Sequence, residues 1–223
     1  MPEVPCVVRW NRSARARRVS LKISPRDGAV IVTLPMRAAR RAGMALLNEH
    51  ADWVAQRLAA MEPPREFGPG VTVPVGDIAH EIIHAPEQRG GPVLEPGRLV
   101  VTGGLEFLPR RVGDFLRAEA GRRIQAAVPA HAEALGVRPR AIRLKDTQTR
   151  WGSCAPNGTL AFSWRLVMAP GWVLDYVVAH EVAHLRELNH SPRFWALVEA
   201  RTPHRAAASA WLRGNGARLL RIG

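Results

Sequence analysis

The chain has 223 residues, is 47% hydrophobic and carries a formal charge of +13 at pH 7. That is enough length and apolar content for a core without staples, and no apolar run approaches the ~20 residues of a membrane-spanning helix. Its two cysteines, Cys6 and Cys154, lie far apart with no C-x-x-C pair, and Met1 to Arg18 holds no apolar signal region, so the expectation is a cytoplasmic, reduced setting with no membrane. The positive charge is almost wholly arginine, Lys22 and Lys145 being the only lysines. Arg12, Arg15, Arg17 and Arg18 form one cluster, Arg37, Arg40 and Arg41 a second, and Arg110, Arg111, Arg117, Arg122 and Arg123 a third. They read as solvated faces or as a surface for nucleic acid or nucleotide.

Residues 4–10 and 18–34 read as strands. Val19, Leu21 and Ile23 alternate with polar neighbours, Pro25-Arg26-Asp27-Gly28 is a turn, and Val30, Val32 and Leu34 resume the period of two, which predicts a hairpin. From Ala38 to Met61 the pattern becomes helical, with Leu46, Leu47, Trp53, Val54 and Leu58 spaced by three and four, and Pro63-Pro64 ends it. Between Phe67 and Gly104, short β-like runs such as Val71–Val75 and Leu99–Val101 sit among many Gly and Pro residues. Leu108 to Leu135 predicts a long amphipathic helix with Pro129 placed to kink or divide it. Ile142–Lys145 reads as a strand. The segment Thr149–Cys154, the turn Ala155-Pro156-Asn157-Gly158 and a strand over Thr159–Met168 read as a second hairpin. Helices are expected over Trp172–Leu188, Pro192–Arg201 and Ala206–Leu212. The fold class is therefore α+β.

The chemistry concentrates in His180-Glu181-Val182-Ala183-His184, followed by Asn189-His190. On a helix, His180 and His184 lie ~40° apart around the axis and ~6 Å along it, so two imidazoles can grip one ion. Glu181, rotated ~100° from His180, stands where a carboxylate can take a proton from water. A straight helix would carry His190 ~15 Å from His180. The helix is thus expected to break at Leu188–Asn189, with Asn189 tolerating a left-handed conformation and Ser191-Pro192 opening a new helix. Three imidazoles with one open position are a catalytic zinc pattern, though iron, manganese or cobalt suits the same ligands. A second copy of the letters, His80-Glu81-Ile82-Ile83-His84, lies in β-like surroundings bounded by Pro86. On a strand, residues four apart are separated by ~13 Å, too far to share an ion.

The order of the motifs carries a resemblance. Arg150-Trp151-Gly152-Ser153-Cys154, then Trp164-Arg165-Leu166 with Ala169-Pro170, then Asp175–Glu181 and Asn189-His190-Ser191-Pro192-Arg193-Phe194-Trp195 resemble the YgjP-like metallopeptidases, relatives of SprT-like and wider gluzincin-like proteins. The clear match covers about Ile142 to Trp211; the front half is similar less specifically. The resemblance implies a β-rich N-terminal section with one helix over 1–105 and a helical, zincin-like metallopeptidase domain with a small antiparallel sheet over 106–223. It implies His180, His184 and His190 as metal ligands, Glu181 as catalytic acid/base, Zn2+ as cofactor and a peptide or protein as substrate. Relatives often carry Asn where this chain has Ser163. Arg150 and Tyr176 are candidates for stabilising the transition state, on motif order alone. Trp151, Trp164 and Trp195 read as packing around the site, and Cys154 as a small buried hydrophobe. Two alternatives stand beside the peptidase. The same ion and base can attack phosphorus, giving a phosphohydrolase of nucleoside triphosphates, and the basic surface suits a DNA-associated, SprT-like protein.

Overall fold

A computed structural model describes residues 6–223. The first two residues of the expected opening strand, 4 and 5, lie outside the described residues. The chain divides into two compact units, Met1–Pro64 and Arg65–Gly223. The boundary expected between 105 and 106 falls inside the second unit, where Val73, Ile82, Leu99 and Val101 of the Gly-rich β section share one apolar cluster with Val112, Leu116 and Val177 of the helices.

In the first unit, strands β1 (Val8–Ser13), β2 (Ser20–Ile23) and β3 (Val30–Pro35) form a sheet in the order β1-β3-β2. The expected hairpin is present: β2 pairs antiparallel with β3, while β1 runs parallel to it. Alternation buries Val30, Val32 and Leu34. Helix α1 (Arg40–Glu49) packs against this sheet at Gly43, where a Cβ would stand 2.6 Å from the Trp10 ring and 2.9 Å from Val32. The single helix expected here is two. His50 (φ −105°, ψ 18°) interrupts the run and α2 (Ala51–Ala59) restarts with Asp52 in its first turn, where a negative charge favours a helix N-terminus.

The second unit opens with a four-stranded sheet, order β4-β5-β7-β6, built from β4 (Thr72–Val75), β5 (Ile78–His84), β6 (Val93–Glu95) and β7 (Arg98–Val101). Helix α3 (Leu108–Ala134) runs unbroken through Pro129 and buries Val112, Leu116, Ala120, Ile124 and Val128 along one stripe. A second sheet holds β8 (Ala141–Lys145), β9 (Gly152–Cys154) and β10 (Thr159–Ser163) in the order β8-β10-β9. The Asn-Gly hairpin joins β9 and β10 antiparallel as expected, and β8 adds parallel to β10, so the small sheet is mixed. Strand β10 stops at Ser163 rather than Met168. Residues Trp164–Met168 form a 3-10 helix buried at every position, and a run without alternating exposure has no reason to stay extended. It packs against α3 and leads into α4 (Gly171–Ala183), which is itself buried along most of its length. Helices α5 (Pro192–Glu199) and α6 (Arg205–Leu219) close the chain.

Two buried polar devices fix this unit. His131 on α3 is hydrogen-bonded through Nε2 to Asp175 on α4 at 2.8 Å. Arg165 is 1% exposed, so its charge must be answered inside the protein. Its Nε donates to Asp146 at 2.8 Å, its remaining nitrogens donate to the carbonyls of Leu219, Ile222 and Gly223, and its guanidinium lies 4.4 Å from the centre of the Trp164 ring. Replacing it by methionine removes the donor held by the carbonyls of Leu219, Ile222 and Gly223 and breaks the ion pair with Asp146. The expected loss of unfolding free energy is about 2–3 kcal/mol, the cost of leaving buried carbonyl acceptors without a donor, since Asp146 keeps contact with solvent. Denaturant unfolding of Arg165→Met measures it, and a loss below about 1 kcal/mol would deny the arginine this anchoring role.

Candidate active site

Helix α4 delivers His180 and Glu181 from its last turn, and His184 occupies its C-cap (φ −64°, ψ −19°). The helix therefore ends at Ala183, not at the expected break of Leu188–Asn189. The chain leaves it through tight turns, with the amides of Arg186 and Glu187 both donating to the Ala183 carbonyl. Asn189 is not left-handed; among the described non-glycine residues Asp77 alone has positive φ. An earlier helix end gives six residues in which to return, and His190 comes back to His180 with the two Nε2 atoms 3.1 Å apart. The expected restart at Ser191-Pro192 is present: the Ser191 hydroxyl accepts from the Phe194 amide at 3.2 Å and caps α5.

The three rings converge. Centroids are 4.9 Å apart for His180 and His184, 5.1 Å for His180 and His190, and 4.7 Å for His184 and His190. One ligand atom from each lies within 4.8 Å of the other two, and no other cluster of three such groups occurs among the described residues. Phe194 stacks on His184 at 4.3 Å, and Trp195 lies 5.7 Å from His180 and 5.4 Å from His190. The Glu187 carbonyl holds His184 Nδ1 at 3.1 Å. With the proton placed there to donate, Nε2 keeps its lone pair for the cluster. Burial pushes His180 down to about 4, helped by the neighbouring imidazoles and the charge of Arg205, and burial lowers His184 as well. These two rings stay neutral near pH 7, the state that ligates a cation, and two ring nitrogens 3.1 Å apart are a natural pair of donors to one ion. The donor set therefore fits a divalent transition metal.

Glu181 is 5% exposed, and burial raises its carboxyl to about 7 against the opposing pull of Arg150. It sits beneath β9 at a point where only glycine fits: a Cβ on Gly152 would meet Glu181 Cγ and Oε1 at 2.5 Å. Arg150 is exposed and near enough to act on Glu181 electrostatically. Tyr176 is buried one turn before His180, its ring centroid 6.0 Å away, and its hydroxyl accepts from Ser209 at 3.1 Å. Cys154, half-buried, has its thiol pushed up by burial and by Glu181. Trp164, by contrast, packs between Arg117 and Arg165.

The second H-E-x-x-H is on strand β5, as its surroundings require. His80 is bound through Nδ1 to the Ile78 carbonyl at 2.8 Å, and His84 through Nε2 to the Gly103 carbonyl at 2.7 Å. Gly152 and Arg165 both lie in stretches that carried the family resemblance, yet sequence reasoning gave neither a role. Their positions against Glu181 and inside the core are long-range facts with no local periodicity to announce them.

Helix α4 and the segment after it thus bring an H-E-x-x-H pair and a third histidine together, with Glu181 buried next to them in the chain. The sequence profile of the YgjP-like metallopeptidase domain matches residues 17–215, and the chain belongs to that family. Among solved structures, the metallopeptidase zymogen of Pyrococcus abyssi abylysin is similar at 22% identity with a TM-score of 0.35, over 38% of this chain and 85% of that one. Comparison with curated proteins finds no match. No helix among the described residues is long and apolar enough to cross a membrane.

Proposed function

We propose that the protein is a zinc-dependent peptidase in which His180, His184 and His190 hold the ion and Glu181 is the general base. The observation that carries this is the convergence of three imidazoles within 4.8 Å beside a carboxyl raised to about 7. A zinc ion bound there supplies a Lewis acid that polarises the scissile carbonyl and acidifies a water. Glu181 takes the proton from the attacking water and returns it to the leaving amine nitrogen; a carboxyl near 7 is matched to both transfers at neutral pH. Tyr176 accepts from Ser209, which leaves its own O–H free to donate to the developing oxyanion, and Arg150 adds positive charge from the exposed side. Trp195 and Phe194 wall the imidazoles with apolar surface.

The test is metal-loaded protein, with metal per chain measured, against a peptide library and a panel of nucleoside triphosphates, with Glu181→Gln as control. Peptide cleavage lost in the control supports the reading. Phosphate or pyrophosphate release lost in the control, with peptides untouched, replaces it by the phosphohydrolase. The same geometry predicts that Gly152→Ala lowers kcat/KM for a peptide by about 10²-fold with full metal content, because the new methyl displaces Glu181 by an ångström or more. Steady-state kinetics beside metal analysis checks this, and unchanged kinetics would mean that the carboxylate does not need its present place.

A second reading concerns location rather than chemistry. Residues 1–64 carry eleven Lys and Arg against five Asp and Glu. Such a unit binds nucleic acid through phosphate contacts, so retention on DNA should fall steeply between 50 and 200 mM salt, by about 10³-fold for six contacts. Retention that ignores salt removes this reading.

A further inference from the structure

Beside the imidazoles lies a second feature that the hydrolytic reading does not use. A pocket of about 530 Å³ opens between α5 and the first half of α6, lined among others by Trp195, Glu199, Arg205, Ser209 and Arg213. Trp195 is its shared wall with the catalytic centre: the indole that lies 5.7 Å from His180 and 5.4 Å from His190 carries the Arg205 guanidinium at 3.7 Å. Arg205, Ser209 and Arg213 follow at intervals of four and so project from one side of α6. Arg205 is already oriented, stacked on Trp195 and paired through Nη1 with Glu199, which leaves most of its donors unused. Arg213 is exposed and has no ion-pair partner among the described residues. Ser209 joins the pocket to the catalytic side through its hydrogen bond to Tyr176.

We infer that this pocket is a substrate subsite that recognises a carboxylate on the peptide whose neighbouring bond lies at the three histidines, with Arg213 and the unused edge of Arg205 as its donors. The inference rests on the peptidase reading above and specifies its substrate class. Two guanidiniums against the one carboxylate of Glu199 leave a net single positive charge, which matches one carboxylate and not the several charges of a triphosphate. Guanidinium forks also meet carboxylates with two parallel hydrogen bonds, a geometry that gives specificity as well as attraction. The carboxylate has two sources, an Asp or Glu side chain within the substrate or the free C-terminus of a peptide that ends in the pocket.

Binding to the zinc-loaded, full-length Glu181→Gln protein separates these, because that variant holds peptides without turning them over. Three peptides are compared by calorimetry: one with an internal Glu and both termini blocked, its Gln counterpart also blocked, and the Gln peptide with a free C-terminal carboxylate. One of the two carboxylate peptides should bind about tenfold tighter than the blocked Gln peptide, the size of a charge-assisted hydrogen bond. Which one does so names the source. Adding Arg213→Gln, at an exposed position that folding tolerates, should bring that ratio close to one, and Arg205→Lys should reduce it while keeping the charge. Equal binding of all three peptides, or none at all, overturns the subsite. So does a triphosphate that binds more tightly than any peptide and is weakened by Arg213→Gln. Wild-type protein that cleaves no peptide while the binding preference persists would sink the peptidase reading and leave the pocket; cleavage without preference does the reverse.

Discussion

Glu181→Gln should lower kcat/KM for a cleaved peptide by about 10²–10⁴-fold, the range lost when a general base is removed. The substitution changes one property, the ability of the side chain to accept and carry a proton. Glutamine has the shape of the carboxylic acid, so it fits beneath Gly152 in the space that the glycine leaves. The side chain is 5% exposed and the cation that acts on it, Arg150, is exposed to solvent, so no buried charge is stranded by neutralising it. A protein that already lifts this carboxyl to about 7 by burial holds the neutral form at little cost. Stability should therefore hold or rise slightly, metal content should stay at the wild-type value, and the loss should appear in kcat with KM little changed. A fall in metal content alongside activity would instead make Glu181 part of the ion's own support. Activity within a few-fold of wild type, at full metal content, would remove the general-base role altogether.

What could be read from the sequence follows the distance over which each feature is determined. The hairpin of β2 and β3, the α3 stripe and the Asn-Gly turn before β10 are local, set by periodicity and turn chemistry within a dozen residues, and they form where expected. The strand expected over Thr159–Met168 shortens because Trp164–Met168 is buried all round, a tertiary fact. The end of α4 shows the limit best. Spacing alone requires that the helix stop before His190, and it does, but the stop falls at His184 because its ring is held by the Glu187 carbonyl and by stacking on Phe194. No left-handed Asn189 was needed. The grouping of the β section with the helices, rather than with the first hairpin, likewise comes from shared burial that no window of sequence displays. Nothing local sets Arg205 and Arg213 apart from the other arginines of the chain; the contact of Trp195 with both His190 and Arg205, and the pocket that Arg205 and Arg213 share, are tertiary facts.

His190→Ala should weaken zinc binding by more than the 10–100-fold that removal of a mere supporting partner costs, because it deletes one of three ligands outright. The ring is exposed and carries no hydrophobic core, so the variant should fold, and the loss can be read at the metal rather than through collapse of the domain. Its place is held by the Ser191 cap and by the Ser191 amide donating to the Asn189 carbonyl at 2.7 Å, contacts that alanine at 190 leaves intact. Nor does a carboxylate stand with the three imidazoles to replace it: among the described residues the cluster holds histidines alone, and Glu199 is paired with Arg205. Metal per chain after chelator competition measures the effect directly. Unfolding gives an independent reading, since zinc at 100 times its wild-type Kd should stabilise the wild type by about 2.7 kcal/mol and the variant by far less. The equivalent change on the strand copy, His84→Ala, should leave metal content as it was, because that ring is bound to the Gly103 carbonyl on β5 rather than to the cluster. Full zinc stoichiometry in His190→Ala, at an affinity within tenfold of wild type, would reduce the site to two histidines and return the choice of third ligand to the substrate or to water.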